Sequence, residues 1–171
     1  MNYKIIACKV LWRELSLITA SSPDYCDVTY LKQGLHESPD RLREAIQSEI
    51  EAVESGEDIH TNQTTFDAIL LCYALCAGSV EGLRASKHTL VVPRAHDCVT
   101  LLLGSAERYH DYFFDNKGTF WNSIGWSECG YLPDEDLHER RYAAFAAKRG
   151  GAMADRLIEA DERWKKNYSK L

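Results

Sequence analysis

The stretch "FDAILLCYALCAG", residues 66–78, decides the fold. A continuous apolar run of this length suits either a buried helix or a buried strand running into a loop, and periodicity alone does not separate them. A strand over 67–72 is the better reading, because Cys76 and Gly78 then fall in a loop and the following segment has its own start near Ser79. With "SVEGLRAS" (79–86) as a brief helix and "KHTLVVP" (87–93) as the next strand, the run becomes the first half of a strand–helix–strand unit.

The segments on either side repeat that alternation. "YKIIAC" (3–8) is a short Ile-rich strand, Leu11, Leu15 and Ile18 recur at helical spacing, and "SSPD" (21–24) supplies the turn. "DVTYLKQG" (27–34) carries the β-favouring Val28 and Tyr30. "ESPDRLREAIQSEIEAVESGED" (37–58) is the clearest helix: Ser38 as N-cap, Pro39 at the first helical position, one stripe of Leu42, Ile46, Ile50 and Val53, and Gly56 as the stop. "DCVTLLLGS" (97–105) fits a short helix between an Asp97 cap and Gly104, with a further helix over 106–116.

From residue 119 the pattern changes. "TFWNSIGWSECGYLP" (119–133) is aromatic and glycine-bearing without sustained period, which predicts an edge strand and a loop, with Trp121 and Trp126 available to core or ligand. Helices are expected over 134–148 and 152–168, the second with Met153, Leu157, Trp164 and Tyr168 on one face. The sum is an α/β fold of three layers, a mainly parallel sheet of about four to five strands with helices on both faces, and a helical C-terminus. The expectation is one domain over 1–171, with 133–171 a helical extension packed on it.

Composition narrows the function classes. Apolar residues make up 45% and charged residues 27%, a globular balance. A net charge of −6 and the lack of a basic stripe interleaved with aromatics argue against nucleic-acid binding. No apolar run approaches the roughly 20 residues of a membrane helix. "MNYKIIACKVLW" lacks the layout of a signal peptide, so a cytoplasmic location is expected. Six cysteines (Cys8, Cys26, Cys72, Cys76, Cys98, Cys129) are then not expected to form a disulfide framework.

A single intracellular cysteine is ordinarily a small buried apolar residue. Three of these, however, end or follow strands: Cys8 the first, Cys76 the third, Cys98 the fourth. In a parallel sheet those ends share the edge where doubly wound folds bind ligands, at a switch in strand order. Thiolates with His96 as a possible fourth ligand suit zinc; thiolates also suit an iron–sulfur cluster. The spacing is no zinc-ribbon signature, since CxxC is lacking, and unremarkable packing or a reactive thiol stays open. Cys98, opening a helix capped by Asp97, is expected to lean toward thiolate, with Arg94 reinforcing it or holding an anion. Glu14 is a solvated helix acid or an inward carboxylate that pairs with Arg94 or reaches the metal.

Four blocks in this order, "CKVLWREL" (8–15), "DAILLCYALCAGSVEGL" (67–83), "LVVPRAHDCVTLLLGS" (90–105) and "GTFWNSIGW" (118–126), resemble a bacterial and archaeal family known as domain of unknown function 1638. "PRAHDC" preceded by "YALCAG" is the most specific part, and the resemblance spans residues 3 to 130. It implies a cytoplasmic protein whose genes often neighbour corrinoid-dependent methyltransferases and their corrinoid carriers. By position it points at Cys8, Glu14, Cys76, Arg94, His96, Asp97 and Cys98, and leaves Cys26, Cys72 and Cys129 unassigned. The expected function is a metal–thiolate site, zinc first, serving methyl or one-carbon transfer on a small molecule. The rivals are an accessory or cofactor-binding protein of a corrinoid methyltransferase system and an iron–sulfur redox protein.

Overall fold

A computed structural model describes residues 1–59, 61, 65–129 and 135–163. Trp164 and Tyr168, expected on the last helix, lie outside the described residues. The chain forms two compact units, Met1–Tyr109 and His110–Leu171.

The first unit is built on four parallel strands: β1 (Asn2–Cys8), β2 (Tyr25–Leu31), β3 (Ala68–Cys72) and β4 (Thr89–Val91), in the order β2-β1-β3-β4. The chain winds outward from β1 through α1 (Trp12–Ser21) to β2. It then crosses back through α2 (Pro39–Ser55) to β3 on the other side of β1. The strand order therefore reverses between β1 and β3, and the crevice beyond their carboxyl ends is the place such sheets bind ligands. The apolar run that opened the question resolves as a strand to Cys72 and a loop after it.

Side chains alternate across the sheet. Ile6, Ile69, Leu71 and Tyr73 pack with Leu42, Ile46, Ile50 and Val53, so the whole stripe expected of α2 is buried on one face. Gly56 ends α2 in the left-handed conformation at φ 78°, where a Cβ is disfavoured. Ser38 precedes Pro39 as expected, but its side chain makes no capping bond. On the opposite face, α1 and α3 (Cys98–Leu103) flank β3 around a cleft lined by Leu15, Leu101 and Cys72.

The connection from β3 to β4 corrects one expectation: residues 79–86 are a turn and irregular loop, not a helix. Gly82 sits at φ 82°, which an α-helix does not accommodate. α2 supplies the partners that a helix would have found in itself. Arg43 Nη2 donates to the Gly78 carbonyl at 3.1 Å, and Gln47 exchanges two bonds with the Arg84 backbone at 3.1 and 3.0 Å. Glu54 accepts from the backbone N–H groups of Ser86, Lys87 and His88 at 2.7, 2.7 and 3.1 Å.

Lys4 is a feature the strand pattern does not reveal. It is completely buried within β1, and its Nζ lies 2.6 Å from Asp27 Oδ1 on β2 and 2.5 Å from Asp58 Oδ2 beyond α2. A cation in that position is tolerated only because two carboxylates face it.

In the second unit, α4 (Ala106–Asp115, which begins in the first) leads to α5 (Ile124–Glu128), α6 (Glu135–Arg149) and α7 (Gly151–Glu162). The edge strand expected after residue 119 is replaced by α5, whose start is fixed by Ser123 Oγ accepting from Trp126 N at 3.2 Å. Trp121 and Tyr112 meet in a tilted ring contact with centroids 5.1 Å apart. No helix among the described residues is long and apolar enough to cross a membrane.

Candidate functional site

Three chain segments meet beyond the carboxyl ends of β1 and β3. The first is the end of β1 at Cys8. The second is the turn Cys76–Gly78 after β3, and the third is the loop from β4 into α3. The last two are joined by backbone hydrogen bonds: Leu75 N donates to the Ala95 carbonyl at 3.0 Å and Cys76 N to the His96 carbonyl at 3.3 Å. "CAG" and "PRAHDC" are thus held side by side although the loop and strand of residues 79–92 separate them.

The turn itself is unusual. Cys76 and Ala77 have φ of 41° and 58°, the left-handed region that favours glycine. The buried Ser79 hydroxyl donates to the Cys76 carbonyl, and the Ser79 N–H reaches the Leu75 carbonyl at 3.1 Å, so the strained pair is pinned from its own C-terminal side.

The thiols of Cys8, Cys76 and Cys98 come within electrostatic reach of one another. Burial pushes the Cys98 thiol up to about 12, with Cys76, Cys8 and Asp97 adding to the rise. Cys76 is raised by burial first and then by Cys8 and Asp97. This corrects the expectation that the helix start leans Cys98 toward thiolate: loss of water on burial is the largest influence and raises the pKa despite the helix start. Tyr73, which the sequence reading does not single out, joins the group. Its hydroxyl is buried without an oxygen or nitrogen partner among the described residues, and after burial its strongest influences are Cys8 and Cys76, which raise its pKa. The alternation in "LLCYALC" was the available signal, since it puts Tyr73 on the sheet face of Cys8.

Asp97 serves the fold. Its Oδ1 accepts from Thr100 N at 2.8 Å and Thr100 Oγ1 at 2.9 Å, the cap the sequence predicts, and Gly104 closes α3 at φ 70°. Its Oδ2 lies 3.4 Å from His96 Nδ1, and the His96 side chain is 83% exposed. Arg94 is exposed as well. The structure thus gathers Cys8, Cys76 and Cys98, sets Asp97 beside them as a cap, and places His96 and Arg94 on the surface. Glu14 points elsewhere: it lines the cleft between α1 and α3, with Oε2 buried and lacking a hydrogen-bond partner among the described residues. Cys72 lines the same cleft, its thiol pushed up to about 11 by burial.

Three neighbouring thiols are a soft donor set suited to zinc. Among the described residues, no three His, Cys, Asp or Glu side chains already stand drawn together as metal ligands. None of the six cysteines is in a disulfide.

No curated protein and no solved structure matches the chain. The family described as "Protein of unknown function (DUF1638)" matches residues 30–171. That span takes in the Cys76 turn, the Arg94–Cys98 loop and both C-terminal helices, and the chain belongs to this family.

Proposed function

We propose that Cys8, Cys76 and Cys98 bind a metal ion, zinc before others, at the switch point of the sheet, in service of methyl or one-carbon transfer. The observation that carries the proposal is that backbone hydrogen bonds pair the Cys76 turn with the loop that carries Cys98, with Cys8 at the end of β1 within electrostatic reach of both sulfurs and the Cys76 turn held in a left-handed conformation. The donor chemistry fits a thiophilic cation, and binding would displace the protons that burial now holds on the sulfurs. His96 is exposed, so three protein ligands and an open fourth position are the arrangement expected, which is the pattern of catalytic rather than structural zinc. Zinc so held supplies Lewis-acid activation of a substrate thiol or water. The protein's own contribution is to exclude water from the sulfurs and to fix Cys76 and Cys98 against each other through the paired loops.

The test is elemental analysis and an absorption spectrum of protein purified without oxygen. Zinc near ~1 per chain, lost in Cys98→Ser and retained in His96→Ala, supports the proposal. A brown, iron-bearing sample turns the site into an iron–sulfur centre. Folded wild-type protein that neither carries nor takes up metal overturns both. An accessory role in a corrinoid methyltransferase system rests on the resemblance alone, and co-purification with a corrinoid protein is its readout.

A further inference from the structure

The sheet face turned away from α2 carries a cleft that shares no residue with the thiol set. Its volume is about 300 Å³, at the lower end of the roughly 300–1,000 Å³ found for small-molecule sites. Leu15 and Ile18 come from α1, Leu101 and Leu102 from α3, and Cys72 from β3. Ile18 is 61% exposed, so the cleft is open to solvent on the α1 side.

Glu14 is the charged residue in this otherwise apolar lining. An ionised carboxylate only accepts hydrogen bonds, and each buried oxygen left without a donor is costly. Oε2 is such an oxygen: it is shielded from solvent, and no donor among the described residues reaches it. An apolar slot with one under-satisfied anion complements a ligand with an apolar body and a cationic N–H donor.

We propose that the cleft between α1 and α3 binds a small alkylammonium compound, its amine on Glu14 and its hydrocarbon part between Leu15, Ile18, Leu101 and Leu102. Anionic ligands are repelled by the same carboxylate, and a neutral O–H donor can bond to it but leaves its charge without a counter-ion. The cleft opens beside the carboxyl end of β3, at the edge where parallel sheets bind ligands.

The experiment follows backbone amide NMR shifts of the full chain titrated with n-hexylammonium, hexan-1-ol and hexanoate. Wild-type protein and the Cys98→Ser variant are both used, so that failure of the metal reading leaves the result intact. Hexylammonium is expected to move the amides of Leu15, Leu101 and Leu102, hexanol to bind about tenfold more weakly, and hexanoate not to bind. Glu14→Gln, which keeps the side chain's shape, is expected to erase the ammonium's advantage over the alcohol. Leu101→Trp, which fills the cleft, removes both. The proposal is overturned if no probe perturbs the cleft, if hexanol or hexanoate binds as tightly as hexylammonium, or if Glu14→Gln leaves the ammonium's affinity unchanged.

Discussion

Glu54 ties the long helix to the loop that feeds β4 and, through it, to Arg94–Cys98. Its carboxylate accepts three backbone N–H groups, the Ser86 hydroxyl at 2.5 Å and a contact from His88 Nδ1 at 3.3 Å. Those donors hold its pKa down from 4.5 to about 2, the Ser86 hydroxyl contributing most. Replacing it by Ala leaves donors on a partly exposed loop that water can reach, so the loss is set by net hydrogen-bond strength to a charged acceptor: about 2 kcal/mol. The pH dependence follows from the direction of the shift. A depressed carboxylate stabilises the fold above its unfolded pKa and loses that contribution as pH falls toward its folded value. The difference between wild type and Glu54→Ala should therefore be constant above about pH 5 and shrink from about pH 4.5 toward about pH 2. Urea titrations of both proteins from about pH 7 to about pH 3 measure it. A difference below about 0.5 kcal/mol near neutrality, or one that does not change across the acid window, refutes the assignment of Glu54 as the anchor of this loop.

Lys4→Met removes the cation between Asp27 and Asp58 and leaves two neighbouring carboxylates facing each other; urea titration should show a loss of about 3–5 kcal/mol, much of it recovered when Asp27 and Asp58 are also made apolar. Asp97→Ala should cost about 1 kcal/mol through loss of the α3 cap, while Asp97→Asn, which still accepts from Thr100 N, costs a few tenths. Tyr73→Phe deletes a buried hydroxyl without an oxygen or nitrogen partner, so thermal unfolding should find stability unchanged or raised by up to about 1 kcal/mol; a loss of that size would show that the hydroxyl is bonded to the Cys8 sulfur.

Where a segment's own side chains decide its structure, the sequence could be read directly. The Leu42–Ile46–Ile50–Val53 stripe, the Asp97 cap and the Gly104 stop all appear as expected, since periodicity and capping are local. The parallel sheet followed from alternation of segment types, and with it the placing of Cys8, Cys76 and Cys98 at or after the carboxyl ends of β1, β3 and β4. The turn and loop at 79–86 could not be read this way. Their donors and acceptors are satisfied by Arg43, Gln47 and Glu54 of a helix more than thirty residues earlier, and a local rule sees only a segment with helix-compatible residues. The buried ion triad is equally non-local: Lys4 sits in β1, and nothing in "YKIIAC" says that Asp27 and Asp58 will face it. The ionisation of Cys98 was misjudged because cap and dipole are visible in sequence while the depth of burial is not.

The Cys76 turn shows why the thiols are better treated as a set than as three packed residues. A left-handed residue other than glycine costs about 1–2 kcal/mol, and here two occur in succession. Glycine at 76 would relieve the first of them, and the chain does use glycine at 78, where φ is 84°. A thiol standing where glycine is the conformationally easier residue is consistent with a use for its sulfur, although Ala77 holds the same region without one. Packing alone is a weak reason for it, because Cys76 is only partly buried against the core. The surrounding bonds, from Ser79 to the Cys76 carbonyl and from Leu75 and Cys76 to the Ala95 and His96 carbonyls, hold the strained residue in place. They also aim it at the segment that carries Cys98. Strain maintained in that way, at the edge where parallel sheets in general bind ligands, supports reading Cys76 together with Cys98 and Cys8 as the proposed site does.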